Sequence, residues 1–444
     1  MPTSPLVRRA VRALAILLLL ALAALLGLRV YGNWRLAAAE REFAERVGPR
    51  DTGTSTPVKL LDEENAAVFL QAGAEAMILP GNDRPQIGEM TMTRPDSWSE
   101  SQRADLRRIL ANNRPALELL HRAAGMTTSL FGAVTWDKKT HELKAPPLLK
   151  LITAQRLLLV DARMALLEHE PARLLADTAS MATMAAGLER ESELVGLLMG
   201  MACEKMFLAA VKEAVADSST HREMLTKLQG MVVDTDLKAA WRRGNLAQQA
   251  VISKHVAAVL SDPLAARHGG VGLYGRFMDF AFGKIFQAQQ LEIRAGLIAA
   301  VDQPLGLDPS WSRRGAHQPR TVFDAFDVFE SVMFGQSAKS SIGRVQSTLS
   351  LRELANIALA ARLQGLATGE YPATFASLSG AMRPDPFAGK PLTYERRPDG
   401  SARISVPDFE VLWKRISDVG ASAQPFSWEL PAPAPRAPQK DARR

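Results

Sequence analysis

The pattern of apolar and polar positions divides the chain into an uncharged opening run, a long helical stretch and a C-terminal part of different texture. Ala13 to Leu28 carries no charge, and Arg8, Arg9 and Arg12 precede it while Arg29, Tyr31, Trp34 and Arg35 follow. A membrane-spanning helix needs about 20 apolar residues. Extension to Val11 and Tyr31 supplies that length if Arg12 and Arg29 snorkel outward. Residues 13–31 are therefore read as a transmembrane anchor, with 1–12 cytoplasmic by the arginine bias and Tyr31 and Trp34 in the interfacial belt. A cleaved signal peptide ending at Ala37-Ala38-Ala39 is the competing reading. It is disfavoured by the long, arginine-bearing stretch from Arg29 to Ala39. Either way the body lies across the membrane, outside the cytoplasm.

Beyond a juxtamembrane helix and linker (32–61), the spacing predicts a helical domain over 62–335. Asp62 to Leu79 reads as one helix capped by Asp62, with loop from 80 to 96. Ser99 and Gln102 form a capping box, as do Thr220 and Glu223. Pro115 suits a first helical turn. Three helices of about 20 residues follow from Pro147 to Ala216, antiparallel because their connections are short. Leu148, Leu151, Ile152, Leu158, Leu159, Ala162 and Leu166 make an apolar stripe on the first, with Lys150, Arg156, Asp161 and Arg163 mostly off it. Gly196 and Gly200 provide for close helix contact on the third. Further helices are expected near 236–260, 276–301, 321–334 and 341–368. No fixed repeat is visible, so an irregular multi-helix body and a solenoid both fit.

After Gly369 come Tyr371-Pro372 and a turn signal, Pro398-Asp399-Gly400, between Leu392–Arg396 and Ala402–Val406, which read as a hairpin. Residues 340–422 thus form a small helix-plus-β-hairpin module, and 423–444 (Pro, Ala and charge) a disordered tail. The fold class is mainly α.

Charge narrows the function. The net charge is +7. Residues 1–50 carry +5 and residues 424–444 carry +2, which leaves 51–423 balanced. A nucleic-acid partner needs a clustered basic surface, so none is expected. Cys203, the one cysteine, sits in an apolar run and reads as a core residue.

No residue is assigned a catalytic, cofactor-binding or metal role. Gly270 to Gly275 matches a dinucleotide fingerprint in letters, but a loop precedes it where a strand is required. The histidines (121, 141, 169, 221, 255, 268 and 317) include no pair at metal-binding helical spacing, though distant residues can still meet in space. Asp324, Asp327 and Glu330 share a helix face beside Phe323, Phe326, Phe329 and Met333, which reads as a solvated acidic side over a core face. The aromatic-rich Tyr274–Phe286 reads as a core helix, with an interfacial helix as the alternative. No cofactor is expected.

The stretch Gly369-Glu370-Tyr371-Pro372, Leu378, Asp385-Pro386-Phe387 and Gly389-Lys390-Pro391-Leu392-Thr393-Tyr394 resembles the globular part of type II secretion pseudopilins. The resemblance covers about 340–406. It implies a helix packed on a small sheet. The family's N-terminal processing signal and calcium-binding tail have no counterpart here, so no calcium site is carried over. In layout the chain also looks like membrane-anchored bacterial proteins that share a Glu-Asn-Ala-Ala piece, here Glu64 to Ala67. The functions to be weighed are a non-enzymatic envelope scaffold with a protein partner, an envelope hydrolase whose site is assembled from distant helices, and a secretion-system accessory component.

Overall fold

The computed structural model describes residues 5–47, 61–131, 135–137, 142–144, 147–191, 194–247, 273–304, 322–374, 376, 384–416 and 426–433, with backbone only in parts including 5–12, 273–282 and 322–340. The chain is mostly helical with a small C-terminal sheet. It divides into two units: Met1–Thr54, Asn245–Ala300 and Gln318–Phe329 form one, and the remainder the other. This division cuts across the helical domain expected over 62–335.

In the first unit, α1 (Pro5–Val47) is a single helix that begins apolar and ends charged. Residues 13–24 are exposed throughout. Leu17, Leu19 and Leu20 are 62–65% exposed, so the start of the apolar run is largely uncovered by the described residues. Further along, Ala39 and Phe43 are buried against Ala288, Leu291, Ala295 and Ile298. Those residues belong to the helix Leu273–Ala300, α11 in the numbering used below.

The second unit is built around α6 (Leu148–Leu167). It packs against α7 (Pro171–Arg190), α8 (Leu194–Ala216), α2 (Ala66–Ala76), α3 (Asp83–Met90) and α4 (Glu100–Asn112). α5 (Arg114–Arg122) packs on α2 and α7. Residues 157–165 of α6 are buried without a break. The one-sided stripe expected there is thus corrected: Asp161 and Arg163 are 2% and 4% exposed. They are tolerated because each is paired. Arg163 binds Glu213 through Nε at 2.9 Å and Nη2 at 2.6 Å, and donates to the Met90 carbonyl at 2.8 Å. A helix touching so many others makes an irregular bundle.

Local chemistry explains the boundaries. The Ser99–Gln102 capping box starts α4, and Pro115 sits in the first turn of α5. Asp62 does not cap α2. A 3-10 turn covers Asp62–Glu64, and Asn65 caps the helix by accepting from Ala67 N at 3.1 Å. Asn65 also clasps Leu130, accepting its N–H at 2.9 Å and donating to its carbonyl at 3.1 Å. Ala66 and Ala67 lie buried beside it. The Glu-Asn-Ala-Ala piece is therefore a structural clasp. Residues 80–96, expected as loop, hold α3 and most of a 3-10 turn at Pro95–Ser97. α9 (Arg222–Met231) starts after His221 without a side-chain cap, so the Thr220–Glu223 box does not form. The helix begins one residue too late for Thr220 to reach its first free N–H. Gly200 lies on the last turns of α7. A Cβ there would sit 2.7 Å from the Glu189 N and 3.1 Å from the Ala185 carbonyl.

Residues 237–247 are helical (α10). α12 (Val322–Thr368) is continuous where two pieces were expected. A two-stranded β1 (Thr135–Asp137) and β2 (Glu142–Lys144) pair is also present. The expected hairpin forms β3 (Thr393–Arg396) and β4 (Ala402–Ser405), antiparallel, and α13 (Phe409–Ile416) follows. The disordered tail expected from 423 is corrected by β5 (Ser427–Leu430), which pairs with β4 and buries Trp428 and Leu430. Phe426 stacks on Phe409 with ring centroids 3.5 Å apart. The alternation Phe426, Trp428, Leu430 is a strand signal only five residues long, hidden by the surrounding Pro and Ala.

The residues that carry the pseudopilin resemblance have structural work. Tyr371 Oη donates to the Pro431 carbonyl at 2.6 Å, and the buried Arg362 donates to both groups at 3.2 Å. Asp385 Oδ1 accepts from Phe387 N and Ala388 N, which closes a turn that ends at the positive-φ Gly389.

Candidate functional site

Three helices of the second unit bring together residues far apart in the chain. His121 lies in the last turn of α5, Asp161 on α6 and Asp177 on α7. The position of His121 follows from its helix: Ala116, Leu117 and Leu120 are buried and hold the adjacent face against the core. His121 Nε2 is 2.7 Å from Asp177 Oδ1. The His121 side chain is 28% exposed while that of Asp177 is wholly buried, so the pair has one edge toward solvent. Arg173, one turn before Asp177, donates to Asp161 through Nε at 2.8 Å and through Nη2. It also reaches Glu168 and Glu170, each at 3.0 Å.

Burial and the neighbouring Asp161 carboxylate push Asp177 well above the ordinary carboxylate range. Burial holds His121 below the ordinary imidazole value, with the charges of Asp161 and Arg173 acting in opposite senses. Burial works against the charge of Arg173, but its bonds to Asp161, Glu170 and Glu168 outweigh that and raise it. A buried carboxyl raised by its surroundings beside an imidazole lowered by burial is the kind of pair that acid–base chemistry uses. The Oδ2 of Asp177 is buried and has no hydrogen-bond partner.

The same atoms form a possible ligand set. One oxygen each from Asp161 and Asp177 and one His121 nitrogen lie within 4.8 Å of one another. One imidazole nitrogen and two carboxylate oxygens suit a divalent transition ion. Arg173 already supplies positive charge to Asp161, and a proton between the two carboxyls meets the same electrostatic need. The residues accommodate an ion without requiring one.

A second buried cluster joins Arg352 to Glu189, Glu204 and Thr235. Next to Glu204, Lys205 donates to Ser347 Oγ at 3.0 Å and lies 5.5 Å from the Trp413 ring centroid. Burial and Arg344 push Lys205 down to about 8.

The sequence pointed to none of these groups. Asp161 falls off the apolar stripe of α6, and no short spacing links His121 to either aspartate. The only signal was the expectation that α6 and α7 pack antiparallel. Cys203 is buried as expected, its thiol pushed up by burial and Glu189. His169 is exposed in the turn between α6 and α7, at a positive φ of 57°. His141, His255, His268, His317 and Gly270–Gly272 lie outside the described residues, as do the side chains of Asp324, Asp327 and Glu330. Comparisons with protein families, curated proteins and solved structures find no match for this chain.

Proposed function

We propose that the chain is a single-pass protein of a bacterial envelope, anchored in the cytoplasmic membrane by residues 13–31. Its N-terminus is cytoplasmic and its body faces outward as a non-enzymatic scaffold for a protein partner. The observation that carries this reading is the change of character along α1. Its apolar run is exposed on every side over residues 13–24, and its later part is seamed against another helix. A soluble protein rarely leaves such a run uncovered, and lipid is the medium that suits it. The scaffold role is supported by where the buried charge of the body goes: Arg163 and Arg352 are each bonded to buried or half-buried carboxylates, which fixes helices to one another. Membranes washed with carbonate should retain the full chain. A photo-crosslinking residue at the exposed Met92, Leu149 or Val411 should give a discrete adduct in intact cells. Release by carbonate would end the anchor reading, and silence at all three positions would count against the scaffold.

The His121–Asp177 pair supports a second reading, an envelope hydrolase with its site assembled from distant helices. Metal analysis of the purified chain tests the metal-assisted form of it. About one ion per chain, lost in both D161N and D177N, supports the reading; an ion-free wild type returns the cluster to a structural role. The third reading, a secretion-system accessory component, is supported by the bonds of Tyr371 and Asp385 in the pseudopilin-like module. Normal secretion in a deletion strain would remove it.

A further inference from the structure

In the first unit a second helix packs along the anchor helix. On α1, Gly32, Ala39 and Phe43 are buried, and Leu25, Leu28, Arg35, Leu36 and Ala38 are half-buried. Leu25, Leu28, Gly32, Arg35 and Ala39 alternate steps of three and four, as in a coiled-coil seam. On α11, Ile285, Ala288, Leu291, Ala295 and Ile298 are buried and also follow steps of three or four. Three observations give the relative direction. A Cβ on Gly32 would lie 3.1 Å from Lys284 Cβ and 3.3 Å from Ile285 Cγ1. Arg35 pairs with Glu292 at 3.3 Å. Ala39 and Phe43 share a cluster with Leu291, Ala295 and Ile298. Numbers rise together on both helices, so α1 and α11 run parallel.

The register has a consequence for the start of α11. From Ile285 back to Leu273 is twelve residues, about 18 Å of helix. Twelve residues back from Gly32 is Leu20, inside the apolar run of α1. Residues 273–283 therefore run alongside residues 20–30 of the anchor. The half-burial of Leu25 and Leu28 is the trace of this on α1: they continue the seam toward the N-terminus from Gly32, while the other positions from 13 to 30 are exposed.

We infer that the first three turns of α11, Leu273–Gly283, are embedded beside the anchor in the leaflet nearest the body, as a half-membrane helix. The inference rests on the anchor reading proposed above. Its chemistry fits the outer half of a bilayer. Tyr274, Phe277, Phe280 and Phe282 supply the aromatic residues that interfaces favour. Lys284, exposed and level with Tyr31, sits at headgroup depth. The segment is too short to cross a hydrocarbon core of about 30 Å. The occupant of the surface is thus lipid acyl chain and headgroup, and the anchor is a two-helix wedge on its outer side.

Depth-dependent quenching tests this on the full chain in vesicles of phosphatidylethanolamine and phosphatidylglycerol. Cysteines at Leu18, Tyr274, Phe280 and Leu149 each take an environment-sensitive fluorophore, and the unsubstituted chain, whose Cys203 is buried, sets the background. The F280C and Y274C labels should be quenched by spin-labelled lipid as L18C is, and shielded from aqueous iodide. Y274C should respond more to the deeper spin label and F280C to the shallower. L149C should respond to iodide alone. If both α11 labels respond to iodide while L18C responds to lipid, the half-membrane helix is wrong and the anchor stands. If L18C itself responds to iodide, both fall.

Discussion

Replacement of Arg352 by Met tests whether the buried charge cluster holds the second unit together. Arg352 bonds to both carboxylate oxygens of Glu204, to Glu189 Oε2 at 2.7 Å, and to Thr235 through its Oγ1 at 2.9 Å and its carbonyl at 2.6 Å. The side chains of Glu189 and Glu204 are fully buried. Met keeps the apolar stem and removes every donor, which leaves two buried carboxylates without their cation. Breaking a buried pair by removing one partner costs about 3–5 kcal/mol, a large part of the roughly 5–15 kcal/mol that holds a domain folded. The penalty should depend on pH. Burial, then Glu189, raises Glu204 above its ordinary value, and Arg352 opposes that rise. A raised carboxyl holds its proton in the folded state longer than in the unfolded one. Its stabilising contribution is complete below the unfolded value, about 4.3, and is lost as pH rises through the folded value. Without Arg352 the folded value climbs further, so the loss spans more of the pH scale. Urea unfolding of the full chain in nonionic detergent, followed by circular dichroism, measures this. The deficit of R352M should be several kcal/mol near about pH 8, smaller near about pH 5, and partly relieved by adding E204Q. A deficit under about 1 kcal/mol, or one equal at both pH values, would refute the reasoning.

Three further perturbations follow from the packing. N65A removes the cap of α2 and both bonds to Leu130, and should cost about 2–3 kcal/mol, read as a lower urea midpoint. G200A drives a methyl into the backbone of α7 and should cost about 1–3 kcal/mol, whereas G230A, with nothing within 4 Å, should be neutral or stabilising by up to about 1 kcal/mol. Truncation after residue 425 removes β5 and the buried Trp428, and should cost at least about 3 kcal/mol and expose Tyr371 to quenchers of its fluorescence; unchanged stability would return this stretch to a loose tail.

Much of the fold could be read from the sequence because its signals are local. The Ser99–Gln102 box, Pro115 and the turn at Asp399-Gly400 each specify structure within four residues. The apolar run of α1 is equally plain. What could not be read depends on three-dimensional neighbours. Asp161 looks like a surface residue by charge, and only the arrival of Arg173 on the next helix makes its burial tolerable. Asn65 looks like an ordinary polar residue until Leu130 comes within reach. β5 needs β4 as a partner before its short alternation means anything. The His121–Asp161–Asp177 cluster belongs to the same class: three helices supply one residue each, so no spacing along the chain marks it.

If residues 13–31 cross the membrane, the body lies outside the cytoplasm. A pair of fusions at the carboxyl end tests it most directly, one to alkaline phosphatase, active only outside the cytoplasm, and one to green fluorescent protein, fluorescent only inside. Phosphatase activity without fluorescence is expected, and that activity should be lost when 13–31 are deleted. Fluorescence without phosphatase activity would contradict it.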